Sequence, residues 1–142
     1  MMTAKFGPAG NCDAFYASGR KATVEAPAWL SEIGLDAYEF QAGNGLRVSD
    51  ATLTAIGNQA KKHGIAMSLH TPYFISLSGV EEEKRLKSLN YIRASLDAAE
   101  LLGADTILLV PGGMLKFKTD NHDLFFFSLE EFEACGLEIV WK

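Results

Sequence analysis

The sequence predicts an α/β protein built on a parallel β-sheet. Short apolar runs alternate with longer segments in which apolar residues recur at three- and four-residue spacing. This alternation repeats roughly every thirty residues, which is typical of successive strand–helix units. A chain of 142 residues with 48% hydrophobic and 22% charged residues suits one folded domain. We expect a single domain over residues 1–142, with about four βα units and a fifth parallel strand.

The first part of the chain contains two predicted strands. A strand over Ala4–Gly7 is followed by a helix over Val24–Ile33, and Gly34 is a suitable C-terminal cap for that helix. The second strand covers Ala37–Gln41. The turn Gly43-Asn44-Gly45 follows it and indicates positive φ angles or a close backbone approach, which glycine tolerates best.

The second predicted helix starts after Ser49, whose hydroxyl suits the N-cap position, and runs to about His63. Gly64 lies just past its end. The third strand, Ile65–Leu69, is a short apolar run that leads directly into His70. The apolar residues of the helix fall on one face at helical spacing, and they are Leu53, Ile56 and Ala60.

The longest predicted helix runs over Val80–Leu102 and ends at Gly103. Apolar residues at three- and four-residue spacing predict the face that this helix turns toward the core. That predicted inward stripe consists of Leu89, Ile92, Leu96 and Ala99.

The last part of the chain begins with a fourth strand, Thr106–Val110, which is apolar enough to be covered on both faces. A short helix follows, because Ser128 and Glu131 have the spacing of a capping box. Leu137–Trp141 reads as the fifth strand. This strand and Lys5–Gly7 would be unpaired sheet edges, so we expect the chain to self-associate.

Composition narrows the functional classes. The net charge of −5 argues against a broad nucleic-acid-binding surface, which needs clustered Lys and Arg. The longest apolar run is far short of the roughly 18 residues that cross a bilayer, and no signal-like region begins the sequence, so we expect a cytoplasmic protein without membrane partners. Cys12 and Cys135 have no metal-ligand spacing, and we expect both to be buried or half-buried thiols.

The strongest candidate site is the turn Leu69-His70-Thr71-Pro72-Tyr73. It places an imidazole and a phenol where a buried strand emerges into a loop, and such strand ends carry the active sites of parallel α/β proteins. Two readings of His70 stay open at this point. It is either a metal ligand, or a strand-end histidine that hydrogen-bonds to a neighbouring loop.

Four ordered motifs give the chain a family resemblance. Phe6–Asn11, Gly34–Gln41, the His70–Tyr73 turn and Pro111-Gly112 are together similar to the endonuclease IV branch of the xylose isomerase-like barrels. The resemblance implies a (β/α)8 TIM barrel that hydrolyses the DNA backbone at abasic sites during DNA repair. It also implies a cluster of zinc ions held by His, Asp and Glu at strand ends.

The resemblance covers residues 5–113, and residues 114–142 diverge from it. A complete barrel needs about 250 residues. The chain is therefore expected to form a truncated barrel domain, equivalent to the N-terminal half.

Individual site residues follow from the resemblance. His70 is implied to be a zinc ligand, and Tyr73 corresponds to the aromatic residue that lies beside the damaged nucleotide. Arg47 is a candidate phosphate contact, and Asn11 and Ser76 are candidate DNA contacts from loops. The resemblance identifies no catalytic residue within this chain.

The chain departs from the family pattern at its metal ligands. Val110 stands where the family has its second histidine, and an isopropyl group cannot coordinate zinc. The later carboxylate and histidine ligands would follow Lys142. Stable zinc sites use three or four protein ligands, so we expect the isolated chain to bind zinc weakly.

Three functional hypotheses remain. In the first, the chain resembles the N-terminal half of an endonuclease IV-type phosphodiesterase and is inactive alone. In the second, two copies, or this half and a complementary half-barrel, assemble a metal-dependent hydrolase or sugar isomerase-like site. In the third, the chain is a non-catalytic module that binds nucleic acid or a phosphorylated ligand through Arg47 and Tyr73.

Overall fold

The computed structural model describes residues 4–77 and 79–109. Helices and parallel strands alternate along this part of the chain, and a 3₁₀ turn over Thr23–Glu25 precedes the second helix. No helix in this part is long and apolar enough to cross a membrane. The elements in chain order are α1 (Asp13–Ala17), α2 (Ala26–Glu32), β1 (Ala37–Gln41), α3 (Asp50–His63), β2 (Ala66–His70), α4 (Glu82–Leu102) and β3 (Thr106–Leu108).

The three strands form one parallel sheet in the order β1-β2-β3. Gln41 pairs with His70, and His70 pairs with Leu108, so the carboxyl ends of all three strands meet at one edge. The expected parallel α/β architecture is confirmed. The strand expected at Ile65–Leu69 lies one residue later, which makes His70 the last residue of β2.

The strand expected at Ala4–Gly7 is not formed. Instead, residues 6–10 run beside β1 and share only an isolated parallel bridge with it. The N–H of Glu39 donates to the carbonyl of Pro8 at 3.1 Å, and the N–H of Gly10 donates to the carbonyl of Glu39 at 3.0 Å. Proline has no N–H to donate, so a regular ladder cannot continue through Pro8.

The core lies between one face of the sheet and the helices. Because side chains alternate along a strand, Tyr38 and Phe40 of β1 point to this helix-covered face, with Met67 and Leu69 of β2. The face of the sheet that the helices do not cover, called the inner face below, is polar. Glu39, Ser68 and Thr106 form a row across this face in register. The helices complete the core with Phe15, Trp29, Leu30, Leu53, Ile56, Ala60, Ala98, Ala99 and Leu102.

The helix ends follow the sequence closely. The Ser49 hydroxyl accepts a hydrogen bond from the Thr52 N–H at 3.3 Å, which confirms the predicted N-cap of α3. Gly64 and Gly103 end α3 and α4 with φ angles of 70° and 65°. These left-handed conformations favour glycine, and each donates its N–H to the last turn of its helix.

The predicted inward stripe of α4 is largely wrong. Leu89 and Leu96 are 41% and 54% exposed, Ile92 is half-buried, and only Ala99 of that stripe is buried. The helix instead buries Ser88, Ser95, Ala98, Ala99 and Leu102.

The buried face of α4 differs from the predicted one because α3 and α4 approach each other closely. A Cβ atom at Gly57 of α3 would lie 2.6 Å from the carbonyl oxygen of Leu101, so the two backbones nearly touch. Small side chains allow this contact, and large ones would hold the helices apart. Ser88 and Ser95 remain buried without cost because their hydroxyls donate to carbonyls one turn earlier, those of Lys84 and Tyr91.

Other predictions concern the termini and the cysteines. Cys12 is exposed, which contradicts the expected burial of this thiol, because it precedes α1 at the surface. The fourth predicted strand is described as Thr106–Leu108, and its expected last residue, Val110, lies outside the described residues. The predicted helix after Ser128, the fifth strand and Cys135 also lie outside them.

Candidate functional site

His70 occupies the carboxyl end of the central strand β2. Its register places it beside Gln41 and Leu108, on the inner face of the sheet. Its Nδ1 lies 2.7 Å from the carbonyl oxygen of Thr71. A carbonyl oxygen only accepts, so this contact assigns the hydrogen to Nδ1 and leaves the lone pair on Nε2. The hydrogen bond thus fixes the orientation of the imidazole and leaves Nε2 on its far side.

Tyr73 lies against His70, and the two ring centroids are 4.8 Å apart at an interplanar angle of 59°. The Tyr73 N–H donates to the carbonyl of Gly43 at 3.0 Å, which fastens this turn to the loop after β1. A methyl group at Gly43 would overlap the Tyr73 ring. The close approach that the Gly43-Asn44-Gly45 turn predicts is therefore present, and it positions the phenol beside the imidazole.

Two further aromatic residues extend this surface. Phe74 and Tyr91 are in edge-to-face contact with ring centroids 4.7 Å apart, and both are exposed. Phe74 also lies over Gly45, whose φ angle is +94°. The sequence analysis missed both residues. The adjacency of Phe74 to Tyr73 was a usable signal, but Tyr91 is brought there only by the packing of α4.

Asn11 lies on the other side of the sheet from His70. Its Oδ1 accepts from the Tyr38 hydroxyl at 2.8 Å, and its Nδ2 donates to the Thr23 hydroxyl at 3.1 Å. Burial raises the pKa of the Tyr38 phenol, which keeps this donor protonated. Asn11 therefore joins the amino-terminal loop to the helix-facing side of β1, along a groove of about 370 Å³.

Ser76 and Arg47 lie in the loops around the site. The Ser76 N–H donates to the Ser88 hydroxyl at 2.8 Å, and that hydroxyl approaches the Ser76 carbonyl at 3.2 Å, so this backbone contact ties the loop after β2 to α4. Arg47 is exposed in the loop between β1 and α3, two residues after Gly45. The structure brings His70 and Tyr73 into contact and places Arg47 in the neighbouring loop.

The described ranges 4–77 and 79–109 contain no cluster of three or more His, Cys, Asp or Glu side chains that could hold a metal ion. Glu39 lies on the same sheet face as His70, and its carboxylate accepts from the Gln41 amide at 2.8 Å. The buried Thr71 hydroxyl has no hydrogen-bond partner within this part of the chain.

A parallel sheet in sequential strand order with helices on one face is consistent with part of a TIM barrel. The family model for xylose isomerase-like TIM barrels matches residues 27–138. The chain belongs to this family. The match begins after the first predicted strand and extends past residue 113, where the resemblance seen in the sequence ends.

Solved structures show the same fold. A D-psicose 3-epimerase determined in the presence of D-fructose is 19% identical, with 80% of this chain and 42% of that chain covered and a TM-score of 0.56. A D-psicose 3-epimerase from Clostridium cellulolyticum H10, determined with D-tagatose, is 17% identical, with coverages of 83% and 45% and a TM-score of 0.56. SacUVDE is 16% identical, with coverages of 60% and 34% and a TM-score of 0.48.

The chain spans less than half the length of each of these three proteins. No curated protein sequence matches it. For the two epimerases, whose TM-scores are 0.56, the similarity establishes the fold alone.

Proposed function

We propose that this chain forms the N-terminal half of an endonuclease IV-type, metal-dependent phosphodiesterase acting at abasic sites in DNA, and that it does not cleave DNA by itself. The observation that supports this best is the His70–Tyr73 turn. It presents an oriented imidazole and an exposed phenol together at the carboxyl end of a central strand.

His70 supplies one ligand to the proposed metal site. The hydrogen bond from Nδ1 to the Thr71 carbonyl fixes the ring orientation and the tautomer, as outer-shell partners do for metal-bound histidines. A zinc site needs three or four ligands, and His70 alone does not meet that requirement. The residues of the described part thus fit one ligand position of a zinc site and do not fit a complete one.

Tyr73 and Arg47 are the proposed DNA contacts. The Tyr73 ring is 62% exposed although its backbone is fastened to Gly43, so the ring is available to a ligand without refolding the loop. Arg47 carries an exposed guanidinium on the same loop system, where a phosphate could accept hydrogen bonds from it. Ser76 supports the loop after β2 through its hydrogen bond to Ser88, whereas the hydrogen bonds of Asn11 lie on the helix-facing side of the sheet and do not support its role as a DNA contact.

Zinc titration followed by calorimetry tests the ligand assignment. The wild-type chain is expected to bind zinc weakly, and His70→Ala should abolish that binding. His63→Ala is the matched control, because His63 lies in the last turn of α3 and should not affect the site. Loss of binding in the control but not in His70→Ala would contradict the assignment.

Incubation with a duplex containing one abasic site tests the activity. Binding without strand cleavage is expected, and Tyr73→Ala or Arg47→Ala should weaken the binding. Tight stoichiometric zinc together with efficient nicking would show that the chain is a complete enzyme and would overturn the proposal.

A second candidate is a sugar isomerase or epimerase assembled from half-barrels. It is favoured by the polar row of Glu39, Ser68 and Thr106 on the inner face of the sheet, where hydroxyl-rich ligands could be bound. The D-psicose 3-epimerases share the fold of this chain. Conversion of D-psicose to D-fructose by the purified chain, with His70→Ala inactive, would establish this alternative.

A further inference from the structure

An apolar stripe on α4 has no covering element in the described part of the chain. Leu86, Leu89 and Leu96 form this α4 stripe and are 55%, 41% and 54% exposed, with half-buried Ile92 along its margin. They share one face because they are three and seven residues apart. The helix packs against α3 through other residues, including Leu101 beside Gly57, so the stripe faces away from α3.

Exposed leucines in a row indicate an interaction surface. Single exposed apolar residues are ordinary on protein surfaces, but contiguous ones on one helix face mark contact sites. The core does not need these three side chains, since α4 packs with small residues and Leu102.

We propose that the α4 stripe is a self-association surface on which the same stripe of a second copy packs in antiparallel orientation. With the two-fold axis between residues 92 and 93, Leu89 lies opposite Leu96 of the second copy, and the reverse contact is equivalent. Such an isologous contact uses one surface twice.

Charge complementarity at the two ends of the stripe favours the antiparallel orientation. In the same register Arg85 lies opposite Glu100 of the second copy, so opposite charges flank the leucines at both ends. A parallel pair would set each of these residues beside its own like charge, which is unfavourable.

The Arg85 side chain is already held in place. Both of its hydrogen bonds, to the carbonyls of Gly79 at 2.7 Å and Val80 at 2.8 Å, are made by Nη1. Among the residues that the structure describes, its Nη2 makes no hydrogen bond and is available to a carboxylate. This surface differs from the sheet edges from which the sequence predicts self-association.

Sedimentation equilibrium over a wide concentration range tests the proposal. The wild-type chain should form dimers, and Leu89→Asp or Leu96→Asp should weaken dimerisation by about a hundredfold or more, because an unpaired carboxylate would be buried in the contact. Val80→Asp is the matched control, because Val80 is 97% exposed and lies outside the stripe. Circular dichroism checks that each variant is folded.

The register is tested by charge reversal and by cross-linking. Glu100→Arg should weaken the dimer, and Arg85→Glu combined with Glu100→Arg should restore it. In a Cys12→Ser, Cys135→Ser background, chains carrying Leu89→Cys should form disulfides with chains carrying Leu96→Cys, and neither should do so alone.

Three outcomes would overturn the proposal. A monomer at every concentration is one, and it is the result expected if residues 110–142 of the same chain cover the stripe. A dimer insensitive to both aspartate substitutions is the second. Disulfides between two Leu89→Cys chains are the third, because they require a different register.

Discussion

A hydrogen bond to the backbone fixes the orientation of the His70 imidazole. A carbonyl oxygen one residue away takes the Nδ1 hydrogen, so the neighbouring residue sets the tautomer and needs no carboxylate to do so. Of the two readings that the sequence left open, the structure shows the hydrogen-bonded one, and the metal-ligand reading stays a proposal. The histidine is hydrogen-bonded to its own loop, and that bond leaves Nε2 available as a ligand.

Gly43 determines where the Tyr73 ring lies. We predict that Gly43→Ala displaces the ring from His70, because the added methyl group would overlap it and the exposed ring can swing into solvent. The ring-current shift of the His70 protons, measured by NMR, should shrink. Gly79→Ala is the control, since the nearest atom to its methyl group would be the Ser76 hydroxyl oxygen, at 3.1 Å, and not an aromatic ring. An unchanged His70 shift in Gly43→Ala would contradict the prediction.

Glu25 provides a pH-dependent contribution to stability. Hydrogen bonds from the N–H groups of Ala22 and Lys21 lower the pKa of its carboxyl below the ordinary 4.5. A lowered folded-state pKa stabilises the fold above the unfolded-state pKa, and the contribution is lost as pH falls through the folded-state value. Glu25→Gln should therefore lower Tm at pH 7.

Thermal melts of both proteins across the acidic range check this prediction. The Tm difference should begin to shrink as pH falls below about 4.5 and should vanish only below the lowered folded-state pKa, where the wild-type carboxyl is protonated as well. A Tm difference that persists unchanged at low pH would show that the carboxylate charge is not the cause.

At the scale of elements, the α3–α4 contact decides how the longest helix is oriented. Periodicity identifies α4 correctly, but its largest apolar residues are not the ones that face the core. The close approach at Gly57 requires small residues on the facing helix, and α4 offers them beside Leu102. A hydrophobic pattern read from one helix alone could not reveal this, because the selecting feature lies in another helix.

Gly57→Ala should therefore be destabilising. Alanine is the better helix former by about 1 kcal/mol, but here its methyl group would lie 2.6 Å from the Leu101 carbonyl oxygen. Overpacking of this kind costs about 1–3 kcal/mol, so the unfolding free energy should fall. Asn58→Ala, at an exposed position of α3, should instead raise it by about 0.5 kcal/mol. Urea denaturation measures the change in unfolding free energy for each variant. A stabilised Gly57→Ala variant would refute the close contact.

At the scale of the whole molecule, the described residues form part of a barrel and carry one strand-end histidine. The described sheet has three of the eight strands of a closed barrel, and the proposed metal site requires ligands from other strands of the ring. The proposed half-site is consistent with this geometry. Adding one more imidazole would not supply the remaining metal ligands.

We therefore predict that Val110→His does not create cleavage of abasic DNA. The substitution restores a family ligand type, yet a site with two imidazoles still lacks the third and fourth ligands that stable zinc binding uses. A nicking assay with zinc present checks this, with the wild-type chain as reference. Strand cleavage by the variant, abolished by adding His70→Ala, would refute it.

Several features could be predicted because they depend on neighbouring residues. The helix caps at Ser49, Gly64 and Gly103 act within one turn, and the β1 boundaries follow from a five-residue segment in which buried aromatic residues alternate with other residues. The contact between His70 and Tyr73 joins residues three apart in one turn. The sequence also predicted the tight turn at Gly43-Asn44-Gly45, because glycine marks such turns locally.

The sequence by itself determined the parallel α/β architecture, the helix ends and a histidine at the end of the central strand. Tertiary structure alone decided the rotation of α4, the irregular pairing of residues 6–10, and the separation of Asn11 from His70 by the sheet. The first group depends on contacts within a turn or two of the chain. The second depends on contacts between residues far apart in sequence, whose partners local patterns do not specify.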